Sequence, residues 1–82
     1  MGNLDKRQLG IKKNKLLRYK AIKELYQEKA KQFPYTPLTQ ILKNYIYPVY
    51  PISRTTLYEV LSTSITRELQ EIEEFERSLV NH

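Results

Sequence analysis

Apolar residues recur along most of this chain at helical intervals. From Lys15 to Gln32, Leu17, Ala21 and Leu25 fall at i, i+4 and i+8, while Tyr19, Ile22, Tyr26 and Ala30 follow at spacings of three and four. Two overlapping rows make a wide apolar stripe with lysines on the remaining face, which predicts a first amphipathic helix over 15–32. Residues 1–14 carry Gly2, Asn3, Gly10 and Asn14 among several lysines and show little periodicity. That stretch is expected to be a flexible basic arm.

Phe33-Pro34-Tyr35-Thr36-Pro37 breaks the pattern. Thr36 is placed as an N-cap and Pro37 at the first helical position, where its missing N–H costs nothing. The spacing predicts a second helix from Pro37 to about Tyr47, partly burying Leu38, Ile41, Leu42, Tyr45 and Ile46, with Pro48 as its stop. Pro48-Val49-Tyr50-Pro51-Ile52 then disfavours helix. Ser53 has the character of an N-cap, and Ile52 and Leu57 flank it at the spacing of a hydrophobic staple. A short third helix is expected from Arg54 to about Leu61, with Leu57, Val60 and Leu61 inward. Ser62-Thr63-Ser64 marks a break or a new cap. A fourth, acidic helix follows over about 65–79, with Ile65, Leu69, Ile72 and Leu79 near one stripe, Phe75 beside it and Glu76 interrupting it. Pro48 and Pro51 argue against a strand over 45–50.

These elements predict an all-α fold, a small bundle of three to four helices, with residues 15–82 as one helical domain. Eighty-two residues bury only about 60% of the surface the unfolded chain exposes, so the core is small. The chain has no cysteine, which removes disulfides and thiolate metal sites as sources of stability. Its apolar runs fall far short of the ~20 residues needed to cross a bilayer. The N-terminal residues lack the apolar run of a secretory signal, and Lys6 stands where a myristoylation motif wants Ser or Thr. A soluble, cytoplasmic protein is expected.

Charge sharpens the picture. The formal net charge is +5, which favours polyanionic partners. Through Phe33 there are ten Lys or Arg against Asp5, Glu24 and Glu28. After Ile65 the sign reverses, with Glu68, Glu71, Glu73, Glu74 and Glu76 against Arg67 and Arg77. Either these charges solubilise helix surfaces, or the basic head serves a polyanion. The acidic tail can also fold back on the head and partly neutralise it.

The segment of about 36–62 consists of a capped helix, a proline-bounded turn and a second capped helix, the outline of a helix-turn-helix. Within it, Ile52-Ser53-Arg54-Thr55-Thr56-Leu57-Tyr58-Glu59-Val60-Leu61 resembles the recognition helices of bacterial helix-turn-helix proteins, such as tetracycline-repressor-type regulators and serine-recombinase DNA-binding domains. The resemblance is close over these residues and looser over the wider unit. It implies DNA contact at Arg54, Thr55 and Tyr58, with Ser53 and Thr56 beside them. The residue types suit that role. A capped helix start offers free N–H groups to a phosphate. Arginine pairs with guanine O6 and N7, and a threonine methyl touches the thymine methyl. A tyrosine hydroxyl one turn on can bond a phosphate. The sequence departs from the family where a small residue and a turn glycine are usual, because Tyr47 and Pro51 stand there. With Pro48 ending the first helix early, the turn is longer and stiffer.

Three other features carry alternatives. Seven tyrosines, with Tyr45, Tyr47, Tyr50 and Tyr58 grouped around the turn, suit either base stacking or a core that uses phenol rings in place of tryptophan. Lys6, Arg7, Lys12, Lys13, Lys15 and Arg18 either lie along phosphates or form a solvated tail. Ile65, Leu69, Ile72, Phe75 and Leu79 are a candidate dimer seam for a protein matching two half-sites, or they pack inward.

No catalytic residue is assigned. His82 is the sole histidine and ends the chain, and neither a Gly-rich phosphate loop nor a carboxylate–histidine cluster appears. No metal or cofactor is expected. The function expected is that of a small sequence-specific transcriptional regulator of a bacterium, phage or mobile element, with double-stranded DNA as partner. Two alternatives stand beside it: a helical adaptor or inhibitor binding a protein through the tyrosine-rich turn 45–58, and sequence-independent nucleic-acid packaging.

Overall fold

A computed structural model describes the backbone of residues 6–80 and the side chains of residues 8–78. Among the described residues every regular element is helical. They are α1 (Lys6–Gln32), α2 (Leu38–Ile41), which continues into one π-helical turn (Leu42–Ile46), α3 (Arg54–Ser62) and α4 (Ile65–Val80). The chain divides into two compact units, Met1–Arg18 with Ser64–His82, and Tyr19–Thr63. The division between the units falls within α1, between Arg18 and Tyr19.

In the first unit, α1 starts at Lys6 and not near Lys15. Residues 6–14, expected as a flexible arm, are helix; residues 1–5 lie outside the described part. Gly10 and Asn14 oppose this locally, at up to about 1 kcal/mol each. Tertiary partners offset that cost, as they do for most protein helices. Leu9 and Leu16 are buried on α1, and Ile65, Leu69 and Ile72 are buried on α4. Two ion pairs join the same segments, Lys12 to Glu68 and Lys13 to Glu76.

The sequence pattern misplaces one residue of α1. Leu17 was expected inward but is 46% exposed, whereas its neighbour Leu16 is only 4% exposed. In the second unit the buried positions of α1 are Tyr19 and Ile22, with Ala21, Leu25, Tyr26 and Ala30 half-buried. They are joined by Ile41, Leu42, Ile46, Ile52, Leu57 and Val60. Each fully buried aliphatic side chain stabilises the fold by roughly 1.5–3 kcal/mol.

The second helix differs from its expected form in two respects. Thr36 does not cap it. Pro37 occupies the N-cap position, with no side-chain cap hydrogen bond, and its carbonyl accepts from the N–H groups of Gln40 and Ile41 at 3.0 and 3.1 Å. The α-helix is one turn long, and the rest of the predicted span widens so that the Tyr47 N–H donates to the Leu42 carbonyl at 2.7 Å. Tyr47 keeps helical dihedrals, and Pro48, which has no N–H, ends the helix as expected. Val49 and Tyr50 fold back onto the Ile46 carbonyl at 3.0 and 2.7 Å.

The loop before α2 is held by aromatic packing. Phe33 stacks on Tyr45, with ring centroids 5.1 Å apart and planes 5° from parallel. Lys29 Nζ lies 5.3 Å from the centre of the Tyr45 ring, within cation–π range. A hydrogen bond from Thr36 N–H to the Phe33 carbonyl, at 3.1 Å, closes the Phe33–Thr36 turn.

Candidate nucleic-acid interface

The start of α3 follows from four residues, Ile52, Ser53, Thr56 and Leu57. Ser53 has extended dihedrals, and its Oγ accepts the Thr56 backbone N–H at 3.1 Å. The same hydroxyl donates to Thr56 Oγ1 at 3.1 Å. The Ser53 carbonyl takes the Leu57 N–H at 3.0 Å. Ile52 and Leu57 hold the two staple positions around this cap, and both are buried. At the other end, Thr63 Oγ1 and Ser62 Oγ donate to the Glu59 carbonyl at 2.7 and 3.1 Å, adding to the Thr63 backbone N–H that the same carbonyl accepts at 3.0 Å.

With Leu57 and Val60 fully buried, the helix turns a polar face outward. Ser53, Arg54, Thr55, Tyr58, Glu59 and Ser62 are all exposed. The first turn has no acidic residue, so the Arg54 charge and the positive end of the helix reinforce one another there. The second unit as a whole is basic: Lys20, Lys23, Lys29, Lys31, Lys43 and Arg54 stand against Glu24, Glu28 and Glu59.

The other predicted contacts belong to the first unit, not to this one. Lys12 Nζ is 3.8 Å from Glu68 Oε1, and Lys13 Nζ is 2.9 Å from Glu76 Oε1. The Glu76 hydrogen bond and charge, with a smaller contribution from Glu73, hold the Lys13 ammonium above its ordinary value of 10.5. Lys15 and Arg18 are exposed on α1. Both paired lysines thus face the acidic helix. The change of charge sign along the chain was legible in the sequence; the partners Glu68 and Glu76 were not, because register between two helices is set by packing.

The candidate dimer seam divides in the same way. Ile65, Leu69 and Ile72 are buried within the chain itself, and Phe75 is 46% exposed; the Leu79 side chain lies outside the described residues. Three of its five positions therefore serve the chain's own core. The exposed aromatic and apolar residues of the second unit lie elsewhere. Tyr47 and Val49 in the turn are 57% and 60% exposed, Tyr58 on α3 is 52% exposed, and Tyr35 is 99% exposed. Tyr35 was not singled out from the sequence, although its position between Pro34 and Pro37 marks it as a turn residue.

Among the described residues no group of three or more His, Cys, Asp or Glu side chains is arranged to hold a metal ion. No described helix is long and apolar enough to cross a membrane. No protein-family model, curated protein or solved structure matches this chain.

Proposed function

We propose that this chain binds duplex DNA through α3, as a small sequence-specific regulator acting in the cytoplasm of a bacterium or of a phage-infected host. The observation that carries the proposal is the outward face of α3. A helix capped at both ends and anchored by Leu57 and Val60 presents Arg54, Thr55 and Tyr58 to solvent in a unit with excess positive charge. Arg54 and Thr55 read base edges in the major groove, and Tyr58 donates to a phosphate. The Ser53 end supplies backbone N–H groups to a second phosphate. The lysines of the first unit add sequence-independent attraction only as far as their glutamate partners allow.

Fluorescence anisotropy of the protein with in-vitro-selected and random duplexes, across a salt series, tests this. A selected site bound at least about 10³-fold tighter than random DNA supports a specific regulator. Binding without preference that collapses with salt indicates packaging instead.

The exposure of Tyr47, Val49 and Tyr58 favours one second reading, a protein partner docked on the turn 45–58. Aromatic side chains are enriched at the centres of such interfaces. In that case no duplex is bound at modest salt, and alanine at Tyr47 and Val49 abolishes capture of the partner while alanine at Arg54 leaves it intact.

A further inference from the structure

Within the first unit, two lysines of α1 are engaged by carboxylates of the same chain. Lys12 reaches Glu68 and Lys13 reaches Glu76, the latter in a 2.9 Å hydrogen-bonded contact. The carboxylates come from one helix, at positions eight residues apart, where α4 also carries Glu71, Glu73 and Glu74. Glu71 is turned to Arg67 of its own helix at 3.3 Å. To both lysines α4 therefore presents what a nucleic-acid backbone presents, anionic oxygens along a rod.

We infer that α4 is a built-in competitor of the phosphate backbone, with Glu68 and Glu76 occupying Lys12 and Lys13 and so suppressing sequence-independent binding of polyanions. All four side chains retain contact with solvent, from 33% exposure at Glu68 to 46% at Lys12, so the pairs are weak and exchange readily. A polyanion must therefore displace the glutamates before it gains either lysine, and meets neutralised charges until it does. The consequence is selectivity: α4 lowers the background against which base readout on α3 is measured. The inference rests on the DNA-binding proposal for its biological use, but the pairing is tested separately.

The test uses the full chain with Glu68→Gln and Glu76→Gln together, and random-sequence duplex as the probe. Freeing two lysines makes the slope of log K against log salt steeper by up to about 1.8, and binding at low salt tightens at least about threefold. Removing two negative charges raises affinity on its own, so the same pair is also placed on a Lys12→Gln, Lys13→Gln background. The gain in slope must disappear there, because the partners that produced it are gone. Lys12→Gln with Lys13→Gln alone, in the presence of both glutamates, lowers affinity through net charge but leaves the salt slope on random duplex unchanged, because the paired lysines made no phosphate contacts to lose. A gain that persists without the two lysines overturns the inference, as does an unchanged slope, or no binding by any variant. No binding by any variant removes both proposals together, whereas binding without preference for a selected site, with the slope gain still present in the Glu68→Gln, Glu76→Gln variant, removes the specific-regulator reading and leaves the inference standing.

Discussion

Ser53 Oγ and the backbone nitrogen of Thr56 lie 3.1 Å apart, and this hydrogen bond fixes where α3 begins. Because Ile52 and Leu57 are buried on either side of it, the cap sets both the first turn and the outward direction of Arg54. Ser53→Ala is expected to destabilise the fold by about 1 kcal/mol, and Ser53→Asp to preserve it, since an aspartate accepts the same N–H and suits the helix start. Urea unfolding followed by circular dichroism measures both. Equal stability of the alanine and serine proteins would remove the cap from the account of α3.

Leu16 and Leu17 are adjacent, yet one is buried and the other half exposed. Leu16→Ala is expected to cost about 2–5 kcal/mol, whereas Leu17→Ala changes stability by no more than about 0.5 kcal/mol. Denaturation of the two variants side by side checks the rotation of α1. The reverse order would restore the row Leu17, Ala21, Leu25 as the buried one.

That pair also shows where sequence reading ends. Elements defined by single residues with strong local chemistry were legible: Ser53 as a cap, Ile52 and Leu57 around it, Pro48 as a stop, and the break at Ser62-Thr63-Ser64. Those residues act through backbone groups within a turn of themselves. The burial of α1 was less legible because its apolar residues cover more than one face, and the choice between Leu16 and Leu17 depends on what packs there. The start of α1 was hidden for the same reason. Gly10 and Asn14 weaken the local helix signal, while the compensation, Leu9 burial and the Lys12 and Lys13 pairs with α4, comes from residues far away in sequence. Of the candidate site, the exposed residues of α3 were found from pattern and resemblance; the glutamates that occupy the lysines needed the structure.

Gly10 offers a direct check that α1 extends this far. It lies in the helix with no positive φ, and a Cβ added there meets nothing within 4 Å. Gly10→Ala is expected to stabilise the protein by about 0.5–1 kcal/mol through helix propensity and reduced unfolded-state entropy. In a flexible arm the same change has no effect, so an unchanged midpoint in urea would count against helix at this position.

Lys13 gives a second check, through its titration. Its ammonium is held above the ordinary value of 10.5 by the Glu76 hydrogen bond and charge. A raised value in the folded state means that the pair's stabilisation is complete below the unfolded-state value and is lost only as pH rises through the folded one. Stability should therefore show no contribution from Lys13 titration between neutral pH and about pH 10. The ε-carbon resonance of Lys13 should titrate at higher pH in the native protein than in the Glu76→Gln variant. Identical midpoints in the two proteins would mean that the contact is not populated in solution.

Arg54 decides between the functional proposals. It is the basic residue of the α3 first turn, exposed and aligned with the positive end of the helix. If it reads a base, Arg54→Ala costs about 1–3 kcal/mol on the best selected duplex and relaxes preference at one position, while random duplex is affected far less. If it only touches a phosphate, the loss is the same on both duplexes and the salt slope falls by about one. Arg54→Lys separates the two cases further, because lysine keeps the charge but not the planar pair of donors that matches guanine. Rescue of affinity by lysine on every sequence would assign Arg54 to the backbone, and α3 would then position the protein on DNA without specifying where.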